Sequence, residues 1–195
     1  MSHYFENDDS LKSNITSFKT SFMNENFLFN TDNGVFSKGE LDFGTKLLIT
    51  NVLKTNISGD VLDLGCGYGI IGIVLKKLKD VNITMCDINK RAIHLSKMNA
   101  KVNNTTVNVL LSDGFENIED SFDYIVSNPP IRVGKKKLYE LITNSMNRLN
   151  KCGVMYIVIR KEQGALSFIK DMEKSYNVNI IDKQKCFFII SLKNN

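Results

Sequence analysis

From residue 60 onward the chain alternates short apolar runs with amphipathic stretches, and that rhythm leaves few folds open. Asp60–Leu64 (DVLDL) reads as a strand and Ile70–Leu78 as a helix; Asn82–Cys86 and Lys90–Asn103 repeat the pair. Val107–Leu111 and Phe122–Ser127 follow as strands, then a helix over Lys136–Leu149, a strand over Gly153–Ile159 and a helix over Gln163–Ser175. The closing runs, Val178–Ile181 and Cys186–Leu192, are separated only by Asp182–Lys185, too little chain for a crossover, so they should pair antiparallel. Strands joined through helices are parallel and covered on both faces. The spacing therefore predicts an α/β fold: a Rossmann-like, doubly wound, seven-stranded, mostly parallel sheet with an antiparallel C-terminal hairpin. Upstream, Thr16–Met23 and Phe27–Asn30 alternate apolar positions before a turn at Thr31–Gly34, and Lys38–Lys54 has helical apolar spacing. The expected organisation is a short β-rich extension over 1–37 and one domain over 38–195.

Composition narrows the class further. With 195 residues, 43% hydrophobic and 24% charged, the chain is neither disordered, fibrous nor a disulfide-stapled miniprotein. No apolar run reaches the ~18 residues of a membrane span. The opening MSHYFENDDS lacks the basic and apolar parts of a secretory signal, so a cytoplasmic protein without membrane contact is expected. Cys66, Cys86, Cys152 and Cys186 form no C-x-x-C pair and there are only two His residues. Neither a metal site nor a His-based triad is expected.

Asp63-Leu64-Gly65-Cys66-Gly67-Tyr68-Gly69 lies where the first strand of the alternation gives way to its helix. Ligands of open α/β sheets bind beyond the carboxyl ends of strands, and glycine there permits positive φ and close backbone approach. Asp87, with Ile88 beside it, ends the second strand, placed for ribose hydroxyls. Gly67-x-Gly69-x-x-Gly72 also fits the dinucleotide fingerprint, with Asp87 at the expected distance, so a nicotinamide cofactor and S-adenosylmethionine both remain open at this point. Two features favour S-adenosylmethionine. Asp63 offers a carboxylate toward the methionine ammonium or a bound water, and Ser112-Asp113-Gly114 after the third strand offers one toward the adenine amine.

Both prolines of the chain stand together in Ser127-Asn128-Pro129-Pro130, after the fourth strand. Proline removes N–H donors, so Asn128, Pro129 and Pro130 present acceptors with few competing donors. That set suits an exocyclic amine on a planar ring. Its lone pair is delocalised, and accepting both N–H bonds turns that pair out of the plane toward a methyl donor. The proton can leave after transfer, so no strong general base is required.

Together, DLGCGYG, the strand-ending Asp87, Asp113-Gly114 and SNPP resemble class I S-adenosylmethionine-dependent methyltransferases acting on amino groups. Gly34-Val35-Phe36-Ser37 with Leu41-Asp42-Phe43-Gly44 resembles the segment preceding the sheet in the RsmC-type family, in particular its short single-domain, YbxB-like members. The resemblance implies a class I methyltransferase fold, S-adenosylmethionine as cofactor, guanine N2 of 16S rRNA as acceptor, and rRNA or the 30S subunit as partner. Its cofactor residues would be Asp63, Gly65, Cys66, Gly67, Gly69, Asp87, Ile88, Asp113, Gly114 and Asn128. Where many Asn-Pro-Pro enzymes carry a base-stacking aromatic, this chain has Ile131, with Phe36 as the candidate substitute.

Arg132, Lys135, Lys136 and Lys137 follow the Asn-Pro-Pro segment at once and are candidate phosphate contacts. The charge distribution agrees: residues 1–130 sum to −4 and residues 131–195 to +8. Competing readings are protein glutamine methylation, which presents the same amide problem to Asn-Pro-Pro, and a catalytically silent RNA-binding or ribosome-assembly module. DNA adenine methylation would need a target-recognition domain that 195 residues do not accommodate.

Overall fold

A computed structural model describes residues 11–130 and 134–195. The chain opens with a hairpin, β1 (Thr16–Phe22) and β2 (Glu25–Thr31), paired antiparallel from Thr16 opposite Thr31 to Phe22 opposite Glu25. Met23 and Asn24, both at positive φ, make the two-residue turn that matches strand twist. Helix α1 (Phe43–Leu53) follows. It starts five residues later than the apolar spacing predicts, because Ser37 and Gly39 take positive φ and Asp42 caps the helix by accepting from Thr45 N.

The alternation then unfolds as expected: β3 (Gly59–Leu64), α2 (Ile70–Leu78), β4 (Val81–Asp87), α3 (Lys90–Val102), β5 (Asn108–Leu111), β6 (Phe122–Ser127), α4 (Lys135–Asn147) and β7 (Leu149–Arg160). A 3₁₀ turn (Lys161–Gln163), α5 (Ala165–Met172), β8 (Asn177–Gln184) and β9 (Phe187–Lys193) complete it. Gly164, at φ +89, breaks the helix predicted from Gln163 and delays its start. The sheet runs β5-β4-β3-β6-β7-β9-β8, parallel throughout except for β9, which is antiparallel to both β7 and β8.

Strand periodicity sorts the core onto two faces. Val61, Ile83, Met85, Val126 and Val158 meet α1, α2, α3 and the N-terminal hairpin. Leu62, Leu64, Ile125, Met155 and Ile157 meet α4 and α5. Phe22, Phe27 and Phe29 of the hairpin join the first of these clusters. The open edge of β2 is matched by side chains rather than a strand: Asn103, at the C-cap of α3, and Asn99, one turn earlier, each bond both backbone groups of Leu28 and Asn30 respectively. Strand order reverses at β3, between β4 and β6, and a cavity opens there. Among the described residues no helix is long and apolar enough to cross a membrane.

Candidate active site

Between β3 and α2, Gly65, Gly67 and Gly69 hold φ of +72°, +56° and +87°. A Cβ added at Gly65 or Gly67 would meet no protein atom within 4 Å. Their bare backbone instead lines a cavity of about 690 Å³. The turn is pinned from both sides. Gly65 N and Cys66 N donate to Cys86 O at 2.9 Å, Gly67 N donates to Asp87 Oδ2 at 2.8 Å, and Ser96 Oγ and Asn99 Nδ2 donate to Gly67 O and Tyr68 O, each at 2.8 Å. Asn99 thereby joins the turn to the N-terminal hairpin.

Three carboxylates differ sharply in setting. Asp63 is wholly buried on the α2 face of β3 and does not reach the cavity wall. Its Oδ2 accepts from Gly72 N at 2.9 Å, while Oδ1 has no partner among the described residues. Burial pushes its pKa up to about 7; the Gly72 bond pulls it down and the nearby Asp87 charge pushes it up. Asp87 ends β4 at the cavity, with its oxygens accepting from Gly67 N and Asn89 N, both at 2.8 Å. Burial raises its pKa against those backbone bonds. Asp113 is exposed beside Gly114 on the cavity wall after β5. Cys66 and Ile88 line the same wall, and burial holds the Cys66 thiol well above its ordinary range.

Beyond β6, Ser127 Oγ donates to Leu64 O at 2.7 Å and ties the fourth parallel strand to the glycine turn. Asn128, Pro129 and Pro130 all line the cavity. Asn128 Nδ2 donates to Thr45 Oγ1 at 2.8 Å and approaches Asp42 Oδ2 at 3.4 Å. Thr45 Oγ1 is 3.2 Å from the same Asp42 oxygen and donates to it. A carboxylate accepts only, so the hydroxyl proton is committed to Asp42 and Thr45 can only accept from Asn128. The amide's NH₂ edge is thus fixed toward α1, and Oδ1 remains the acceptor for a ligand.

Of the residues singled out in the sequence, Gly65, Cys66, Gly67, Asp87, Ile88, Asp113, Gly114, Asn128, Pro129, Pro130, Phe36 and Lys137 share this one cavity. Asp63 and Gly69 lie behind the wall, and Lys136 is exposed on α4 away from it. Lys135 is engaged elsewhere, 2.9 Å from Asp171 of α5 and over the Tyr139 ring. Ile131 and Arg132 lie outside the described residues. The structure adds Asp42, Thr45, Arg160, Gln163 and Phe187 to the lining, contributed by α1, the end of β7, the turn after it and the start of β9. An Asp-x-x-Thr cap was the one visible signal for the first two.

The sequence profile of the methyltransferase small domain matches residues 26–191. The uncharacterized protein YbxB of Bacillus subtilis is 41% identical over 98% of both chains. Ribosomal RNA small subunit methyltransferase C of Photorhabdus laumondii is 41% identical over 71% of this chain, which spans only 42% of that protein. In fold, the chain superposes with a TM-score of 0.83 on the Thermus thermophilus 16S rRNA N2 G1207 methyltransferase (RsmC) in complex with AdoMet and guanosine, at 22% identity, over 93% of this chain and 51% of that one. A cavity at the switch point, a glycine turn in its wall and a profile match along most of the chain converge: this protein belongs to the small-domain family of S-adenosylmethionine-dependent methyltransferases.

Proposed function

We propose that the protein transfers a methyl group from S-adenosylmethionine to an exocyclic amine, guanine N2 of small-subunit rRNA. The observation that carries the amine chemistry is the locked Asn128 amide, held by Thr45 and Asp42 with its carbonyl as the acceptor left for a ligand. The acceptor identity is supported by the relatives named for small-subunit rRNA methylation.

The residues fit the cofactor. The cavity falls within the ~300–1,000 Å³ of small-molecule sites, and the uncovered backbone at Gly65 and Gly67 leaves the space a side chain would fill. Asp87, with a lone pair beyond those bonded to the backbone N–H groups of Gly67, Ile88 and Asn89, would accept from a ribose hydroxyl, and Asp113 would accept from the adenine amine. The unpartnered Oδ1 of Asp63, behind the cavity wall, is the acceptor for a buried water rather than for the cofactor itself. When bound, S-adenosylmethionine supplies an electrophilic methyl on a sulfonium. Asn128 Oδ1 and the Pro129 carbonyl accept the two N–H bonds of the guanine amine, rotating its lone pair toward that methyl. Transfer would exchange the carbon–sulfur bond of the sulfonium for a nitrogen–carbon bond, and the amine held by Asn128 and Pro129 would then release one proton to solvent.

The test is radiolabelled methyl transfer to 16S rRNA, naked and within 30S subunits, followed by nucleoside analysis. N2-methylguanosine is the expected product, and Asn128→Ala should abolish it while cofactor binding persists. Another methylated nucleoside, or labelled protein in place of RNA, would overturn the assignment.

A further inference from the structure

The cavity divides into two halves of opposite character. On the β3-β4-β5 side its wall carries Asp87 and Asp113; on the β7-β9 side it ends at Arg160, Gln163 and Phe187. Arg160 and Phe187 are direct cross-strand partners in the antiparallel register of β7 and β9. The Arg160 guanidinium sits over the Phe187 ring at 5.0 Å, Phe187 packs on Phe43 at 5.5 Å, and Lys185 Nζ lies over Phe43 at 4.2 Å. Two cations are therefore held against two rings: Arg160 and Phe187 line the cavity, and Lys185 and Phe43 continue from them outside its lining. The nearby acids compensate that charge only in part: Asp42, on the same cavity wall, bears on Arg160 but is bonded to Thr45 and approached by Asn128. Glu162 reaches Arg160 only at 4.0 Å, and Asp182 is turned to Asn51 at 2.9 Å. Among the described residues Lys185 has no ion pair. Lys161 and Lys183 flank the same strand ends. By contrast Lys135, in the basic run that the sequence singles out, is already paired with Asp171.

We infer that the Lys185–Phe43–Phe187–Arg160 series is a docking surface for a single-stranded polynucleotide, Arg160 and Lys185 contacting phosphates beside the nucleotide whose base enters the cavity. This rests on the proposed rRNA reading and deepens it by assigning the surface. Fixed cations suit phosphate binding because an aromatic face restricts the side chain, so less freedom is given up when the phosphate arrives. Phe187 gives the same surface an apolar wall beside Asn128, where a base emerging from the strand needs one.

The experiment is a salt titration of binding to a fluorescent single-stranded segment of 16S rRNA, for the wild type and the double variant Arg160→Gln/Lys185→Gln. Removing one phosphate contact lowers the slope of log K against log salt by ~0.7, so the double variant should fall short of the wild-type slope by about 1.4. Its affinity for S-adenosylmethionine should match the wild type, and its melting temperature should fall by only the few degrees that two lost cation–π contacts cost. Lys151→Gln/Lys193→Gln removes equal charge at the opposite end of β7 and β9 and should keep the full slope. The charge-preserving Arg160→Lys/Lys185→Arg pair should keep it as well. An undiminished slope in the first variant, or an equal reduction in the remote one, overturns the docking surface; if the wild type still methylates rRNA, the proposed function stands without it. A wild type that binds no RNA, or binds an acidic peptide equally well with the same salt slope, overturns the surface. Absence of methyl transfer to rRNA alongside intact salt-dependent binding overturns the function alone.

Discussion

Thr45→Val tests the orientation of the Asn128 amide with the least disturbance. The substitution is nearly isosteric but removes the oxygen that accepts from Asn128 Nδ2 at 2.8 Å. In the native protein a flipped amide loses that bond and sets Oδ1 against the lone pairs of Thr45 and Asp42. The missing bond and the unsatisfied acceptor together bias the amide by roughly 2–3 kcal/mol. The valine variant retains only the 3.4 Å approach to Asp42. Without that bias the two orientations become about equally populated, so the competent fraction and with it kcat should fall about twofold, with KM for S-adenosylmethionine nearly unchanged. Losing the Thr45–Asp42 bond costs about 1 kcal/mol, a fall in Tm of ~2–4 °C, far from enough to unfold the chain. Steady-state methyl transfer with saturating cofactor reads the effect, and Thr45→Ser, which restores the hydroxyl, should recover most of the rate. A valine variant with native kcat, or a serine variant as slow as valine, refutes the orientation argument.

Asp63 predicts a pH effect on the ligand-free protein. Its native pKa of about 7 lies above the ordinary 3.8, so between those values the native state holds a proton that the unfolded state releases. Stability contributed by this group is full below about pH 4 and declines as pH rises to 7; Asp63→Asn should flatten that decline in a series of thermal melts. Glycine variants should separate cavity from packing. Gly67→Ala imposes a Cβ at positive φ and projects it into open space, so cofactor affinity should drop about tenfold or more by calorimetry with a stability loss near ~1 kcal/mol. Gly72→Ala brings its Cβ to 2.6 Å from Met85 Sδ, so it should destabilise by about 1–3 kcal/mol in chemical denaturation, with the larger effect on folding than on binding.

The glycine-turn half of the cavity was legible because its determinants are local. Three glycines at positive φ must follow a strand, and an Asp must end the next one, so spacing along the chain is also spacing in space. The register of Leu64 opposite Cys86 puts Gly65 and Asp87 within one hydrogen bond of each other through Gly67. Even there, sequence could not show that Asp63 faces inward: its burial follows from sharing the pleat of Val61, whose face α2 covers.

The opposite half of the cavity was hidden for the complementary reason. Thr45 on α1, Asn128 just beyond β6, Arg160 on β7 and Phe187 on β9 share no common spacing, and only tertiary registers join them. Arg160 reads as the charged end of an apolar run and Phe187 as one of several phenylalanines near the C-terminus. They become neighbours because β9 returns antiparallel along β7 with Arg160 opposite Phe187. A one-residue slip would send Phe187 to the opposite face of the sheet and leave Arg160 without its ring. The run Lys135–Lys137 is prominent in sequence because its members are consecutive, yet on a helix consecutive residues point in different directions. Lys137 reaches the cavity while Lys135 turns to Asp171. Clustering along the chain therefore overstates the charge available at the mouth from α4 and understates what β7 and β9 assemble there.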